Sequence, residues 1–237
     1  MKLPNMEFLH RHSDKVVLPL TVEERQPLLA VGPFSQVSET VMRSERLSSN
    51  RYGDAIWSND TAICVIDASA PHDLCFGLGE AEIVSDLVRR LSAIFDGTSY
   101  FNPDSLKQGI DEVLTEDGGR RAWGGQAEFG LSMGGIYCNT TDQITVFNIG
   151  TGAVYVDGKV RIPAGREFHN PNPMPGSKVV KNIPQLTILT LSPEQVKSVT
   201  ICTDGINTKH YSPTSARPIT DFIAPRATEA AIVRLER

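Results

Sequence analysis

The chain is poor in the features that mark several large classes of protein. Its 237 residues contain only four cysteines, Cys64, Cys75, Cys138 and Cys202, and no two form a Cys-x-x-Cys pair. That excludes a zinc ribbon and a disulfide framework; Cys64 and Cys202 lie inside apolar runs and read as small buried hydrophobes, which suits a reducing compartment. There is no basic stripe: Lys and Arg number 23 against 28 Asp and Glu, giving a net charge of −5 and a pI near 5.6. Nucleic acid is therefore not the expected partner. No apolar run is long enough to span a membrane and the first residues hold no apolar signal core, so membrane is not expected and the cytoplasm is the expected compartment. There is no Gly-x-Ser-x-Gly, and no Ser-His-Asp set follows from residue order, which makes a serine hydrolase a weak reading. No internal repeat is visible.

What is present is an ordinary globular composition, 40% hydrophobic and 22% charged, in a chain long enough to bury a full core as one large domain. Two short stretches organise it. Ala62-Ile63-Cys64-Val65-Ile66-Asp67 and Val199-Thr200-Ile201-Cys202-Thr203-Asp204 are β-branched apolar runs that each end on an aspartate. Such runs read as buried strands. A carboxylate at the exit of a buried strand is costly unless something pairs with it. Two of them, side by side in one sheet, would call for a shared proton or a hard divalent cation with oxygen ligands. Taken singly, each Asp can equally be a turn residue.

Between these runs the pattern alternates strands and helices. Residues 1–35 settle into no single pattern and are expected to be an accessory segment, with 16–20 a candidate edge strand and 22–25 a candidate helical turn. Residues 36–237 form the expected main domain. Strands are expected over 36–43, from Asp54, and over 62–67, as an antiparallel meander. If the last two are hairpin partners, Asp54 begins its strand where Asp67 ends its own, at the same sheet edge. Residues 79–95 carry the strongest helical periodicity, with Val84, Leu87, Val88, Leu91 and Phe95 on one face. A second helix is expected over 103–114, capped by Asn102 with Pro103 in its first turn. Further strands follow over 127–138, 144–149 and 153–156, the last joined through Asp157-Gly158, a strong hairpin signal, to 159–162. Residues 165–180 read as an irregular loop; strands return at 185–191, 199–204 and 230–235. This order gives an α+β layout, a sandwich of two mainly antiparallel sheets with both helices packed together on one of them.

The order also resembles a known family. Asn50-Arg51-Tyr52-Gly53-Asp54-Ala55, Val65-Ile66-Asp67-Ala68, Phe147-Asn148-Ile149-Gly150-Thr151 and Thr203-Asp204-Gly205 are similar, in sequence order and spacing, to the motifs of the metal-dependent protein phosphatases, the protein phosphatase 2C (PPM) family. The likeness is greatest to the compact bacterial serine phosphatases that act on regulators of sigma factors. It covers about residues 36–237. The resemblance implies a four-layer α-β-β-α sandwich and two Mn²⁺ or Mg²⁺ ions. It implies a metal-activated water that attacks the phosphorus of a phosphorylated protein substrate. It further implies that Asp67 bridges both ions, that Asp204 binds one, that the carbonyl of Ala68 is a ligand, that Asp54 holds a coordinated water, and that Thr228 or Glu229 supplies the last ligand. The departures are Ala68 in place of glycine, Ser69-Ala70-Pro71-His72-Asp73 in place of a Gly-Met-Gly-Gly run, Thr151 where many members have aspartate, and a short interval from Gly205 to Thr228. They motivate the alternative, a catalytically impaired phosphatase-like domain that binds a regulatory protein. Arg46 and Arg51 stand near the expected phosphate-binding arginine but read equally as surface residues. His72, His10 and His12 are not assigned to the site, and oligomeric state is not legible.

Overall fold

The structure is a computed structural model of the chain, and it describes residues 20–25, 30–44, 52–69, 80–96, 100–113, 128–140, 143–165, 168–171, 186–225 and 227–237. Arg46, Arg51, His72, His10, His12 and Cys75 therefore lie outside the described residues.

Twelve strands and two helices are described. The strands are β1 (Leu20–Arg25), β2 (Gln36–Ser44), β3 (Asp54–Ser58), β4 (Ala62–Ser69), β5 (Glu128–Thr140), β6 (Gln143–Ile149), β7 (Ala153–Val156), β8 (Lys159–Ile162), β9 (Phe168–Pro171), β10 (Thr187–Leu191), β11 (Ser198–Cys202) and β12 (Glu229–Glu236); the helices are α1 (Glu80–Phe95) and α2 (Pro103–Glu112). The first sheet runs β1-β2-β12-β11-β7-β8, and the second runs β10-β6-β5-β4-β3 with β9 beside β5. Every described pairing is antiparallel.

Period-2 alternation builds the sandwich. Along β4, Ile63 and Val65 face one way and meet Val41, Ile201 and Val233 of the first sheet in a core between the sheets. Ala62, Cys64 and Ile66 face the other way and meet Leu87, Leu91 and Phe95 of α1 and Leu106 and Ile110 of α2. Both faces of β4 are buried, which is why its sequence reads as an unbroken apolar run. Phe95 anchors the helical layer. Its ring centroid lies 5.6 Å from that of Trp57, 5.7 Å from Tyr137 and 6.3 Å from both Phe101 and Phe147. Asn102 caps α2, its side-chain oxygen accepting from the amides of Asp104 at 3.0 Å and Ser105 at 3.2 Å. Asp157 and Gly158 both take positive φ, 51° and 75°, as the two-residue hairpin between β7 and β8 requires.

Four expectations are corrected. The strand at 36–44 does not pair with β3; its partners are β1 and β12. Residues 45–53 separate β2 from β3, too many for a tight hairpin, and the chain changes sheet there. The strands bearing Asp67 and Asp204 are not neighbours in one sheet but belong to different sheets of the sandwich. Residues 22–25 are not a helical turn: they extend β1 along β2 from Leu20 opposite Ser44 to Arg25 opposite Glu39, pairing with a formed strand having overridden local preference. Phe168–Pro171, inside the expected irregular loop, pairs with β5. As the residue pattern predicts, both helices lie together against the second sheet. Among the described residues the outer face of the first sheet is covered by the irregular segment 206–223, through Ile206, Tyr211, Phe222 and a 3-10 turn at Ile219–Phe222.

Candidate active site

The sequence-predicted acids gather at one mouth of the sandwich, between the sheets. In the β3–β4 ladder Asp54 stands opposite Asp67. The next pair along is hydrogen-bonded, Ala68 N–H donating to the Gly53 carbonyl at 3.1 Å. Asp54 and Asp67 are therefore a non-hydrogen-bonded pair, the closer kind, with both side chains on the inward face that Ile56 and Val65 also occupy. On its other side Asp67 stands opposite Ser132 of β5. Asp204 follows β11 and is exposed. It lies near enough to Asp54 to bear on its charge.

The facing sheet supplies the partners. Thr203 donates its hydroxyl to Asp54 Oδ2 at 2.7 Å, and Thr203 Oγ1 accepts from the Ala231 amide at 3.0 Å. Glu229 Oε2 accepts from the amides of both Gly53 and Asp54 at 2.7 Å. Its Oε1 lies 3.3 Å from Arg43 Nε. Arg43 Nη2 in turn donates to the Asp54 carbonyl at 2.9 Å, and its guanidinium lies 4.4 Å from the centre of the Tyr52 ring. Glu229 and Arg43 thus tie β12 and β2 to the entry of β3. Gly53 is needed here, because a Cβ would drive into the Ala68 carbonyl oxygen. Sequence reasoning missed Arg43. Its signal is position: it continues the inward-facing series Val37, Val41, and an arginine at such a position needs a carboxylate.

Burial raises Asp54 from an ordinary 3.8 to about 8, with the negative charges of Glu229 and then Asp204 adding to the effect, while the Thr203 hydroxyl and Arg43 oppose it. Burial also raises Glu229, against the amides of Asp54 and Gly53 and the guanidinium of Arg43. Thr151, at the position of a further acid in many relatives of the resembled family, donates its amide and hydroxyl to Ser132 Oγ, each at 3.0 Å. Asn148 donates to the carbonyls of Gly150 at 3.3 Å and Gly152 at 2.9 Å, holding the turn beside Thr151.

Set against a hard divalent ion, the donors agree in chemistry: Asp54, Asp67 and Asp204 are oxygen ligands of one sign, and the charges of Glu229 and Asp204 add to the upward push that burial puts on Asp54. Glu229 is different. Its carboxylate is turned to Gly53, Asp54 and Arg43, while Thr228 is exposed and accepts from the Ser44 amide through its backbone carbonyl. Among the described residues no three acid, histidine or cysteine side chains stand close enough together to hold an ion. An ion would have to draw the carboxylates in.

No protein-family model matches the sequence, and no curated protein matches it. Solved structures do match the fold. The chain is similar to the PPM Ser-Thr phosphatase MsPP from Mycobacterium smegmatis, crystallised with cacodylate, at 12% identity and a TM-score of 0.54 over 87% of this chain and 99% of that one. It is also similar to the Ser/Thr phosphatase Stp1 from Staphylococcus aureus, at 9% identity and a TM-score of 0.51 over 90% and 99% of the two chains. The catalytic domain of the serine threonine protein phosphatase PstP, in complex with two manganese ions, matches at 12% identity and a TM-score of 0.50 over 92% and 97%. The fold is that of the PPM phosphatases.

Proposed function

We propose, taking the PPM fold as premise, that this chain is a metal-dependent serine/threonine phosphoprotein phosphatase whose chemistry takes place at the mouth between the sheets. The observation that carries this is the pairing of Asp54 with Asp67 across a non-hydrogen-bonded position, with Asp204 close by. In this reading Asp67 and Asp204 hold Mn²⁺ or Mg²⁺, two ions in all, with Ala68 offering its backbone carbonyl. Ions held there would supply hydroxide from water near neutral pH and offset the charge on phosphate oxygens. The chain's own residues do the rest. Asp54, buried and hydrogen-bonded by Thr203, holds a water or its proton at Oδ1 or Oδ2. Arg43 and Glu229 fix the backbone of Gly53 and Asp54 and are positioning residues.

The test is phosphate release from a phosphoserine peptide with and without Mn²⁺. Asp67→Asn keeps the side chain's shape and removes its charge, so Mn²⁺-dependent turnover is expected to fall by roughly a hundredfold or more. Equal turnover in parent and variant would remove Asp67 from the chemistry.

One observation favours a second reading, a catalytically impaired phosphatase-like domain that binds a regulatory protein. Glu229, the only acid at the last ligand position, is engaged by two amides and an arginine. This reading forecasts no Mn²⁺-dependent turnover and no Mn²⁺-induced shift of the thermal melt in the parent protein.

A further inference from the structure

A cavity of about 460 Å³ lies on the outer face of the first sheet, between β2, β12 and the segment that follows β11. It is remote from the acid mouth. Arg43 of β2 pairs with Glu229 at the start of β12, whereas Ser38 pairs with Arg234. Five residues along a strand span about 17 Å, and the two sites open on opposite faces of the sheet. The cavity exists because a short irregular segment, not a helical layer, covers this face.

The lining is cationic and rich in hydrogen-bond donors. Arg217 commits its Nε to Asp221 at 3.0 Å and lays its guanidinium 5.0 Å from the centre of the Phe222 ring; its two Nη groups make no hydrogen bond among the described residues. Arg234 commits Nη2 to the Pro213 carbonyl at 2.9 Å and Glu236 at 3.3 Å, leaving Nε and Nη1 without a hydrogen bond among the described residues. The Tyr211 ring is buried, held edge-on between Tyr155 and Phe222, and its phenol lies within the field of Arg234, which opposes the upward push of burial to about 12. The phenol is therefore a neutral donor at neutral pH. Ser38 and Thr40 add hydroxyls from the floor. Glu39 is the one acid of the lining, and it falls on the inward face of β2 with Val37 and Val41.

Two planar forks, a phenol and several hydroxyls offer more donors than a single carboxylate accepts, and they suit a tetrahedral dianion. The volume exceeds what free phosphate fills and is that of a small organic ligand. We infer that this cavity is a binding site for a phosphate monoester, seated between Arg217 and Arg234 with Tyr211 as a third donor.

The experiment is isothermal titration of the full chain in EDTA, so that binding does not pass through metal at the acid mouth. The probes are O-phosphoserine and phenyl phosphate, with serine as control. Both esters are expected to saturate the parent and serine is not. Arg217→Gln, an exposed change safe for folding, and the double variant Arg217→Gln/Arg234→Gln are expected to weaken binding by about tenfold or more, the cost of losing a charged hydrogen-bonding partner. Tyr211→Phe is expected to weaken it less, and Asp67→Asn to leave it unchanged; thermal melts check that each variant is folded. Failure of both esters to saturate the parent, equal affinity in Arg217→Gln, or loss of binding in Asp67→Asn would each overturn the inference. Because no turnover is measured, these outcomes are independent of whether the mouth is catalytic.

Discussion

At the residue scale, Asp54 and Glu229 hold the unusual electrostatics. Asp54 is raised from 3.8 to about 8, first by burial and then by the neighbouring acids. The sign follows from linkage. Between these two values the unfolded chain has released the proton that the folded chain keeps, so the contribution of this group to stability is complete below about pH 4 and is lost as pH rises towards 8. In EDTA, the melting temperature is therefore expected to fall over that window, and Asp54→Asn is expected to flatten the dependence. A slope unchanged in the variant would assign the titration elsewhere. Glu229 carries the opposite lesson. Glu229→Ala would leave two buried amides without their acceptor and take a carboxylate from Arg43, and removing one partner of a buried ion pair costs about 3–5 kcal/mol. Urea unfolding of Glu229→Ala beside Glu229→Gln, which retains an acceptor oxygen, measures it; the glutamine variant is expected to lose clearly less. A neutral Glu229→Ala would show that the carboxylate does not hold β3 in place.

At the element scale, local signals and tertiary packing agree most closely in the helices. The Asn102 cap satisfies two of the amides that the first turn of α2 leaves without helical partners. Asn102→Ala is expected to cost about 1 kcal/mol, read as a shift in the urea midpoint at constant slope. The strands are less self-sufficient. β1 carries two glutamates and an arginine in six residues and has little strand signal of its own, yet it pairs over its whole length because β2 presents an edge to it. Trp57 shows the two levels meeting: its position in β3 follows from alternation, while its ring packs on Phe95 and its Nε1 donates to Ser92 Oγ at 3.2 Å, both on α1.

At the scale of the whole molecule, two antiparallel sheets bury one core between them, a second under the helices and a third under the segment 206–223, and the cysteines follow that arrangement. Cys64, Cys138 and Cys202 are free and buried. Burial pushes the thiols of Cys138 and Cys202 up to about 12 and that of Cys64 higher still. The thiolate is the reactive form, so these three are expected to resist a disulfide reagent at neutral pH in the native protein and to react once it is denatured. Rapid native labelling of any of the three would mean that the sandwich opens locally.

How much was legible in the sequence depends on whether a feature is set by neighbours along the chain or across space. Both helices, the Asn102 cap, the Asp157-Gly158 hairpin and the opposition of Asp54 and Asp67 could be read directly. Each depends on a repeat of 2 or 3.6 residues, or on a turn only a few residues long. Sheet membership could not be read, because residues 45–53 are compatible with either a long hairpin or a crossing, and only packing chooses. For the same reason Arg43 was overlooked: its carboxylate partner lies 186 positions away, on a strand that alternation alone does not assign to its side. The final acid was ambiguous by one residue, and in a strand one residue is the difference between facing in and facing out. The tertiary structure turned Glu229 inward and gave its oxygens to Gly53, Asp54 and Arg43, because a buried carboxylate is stable only where donors converge on it.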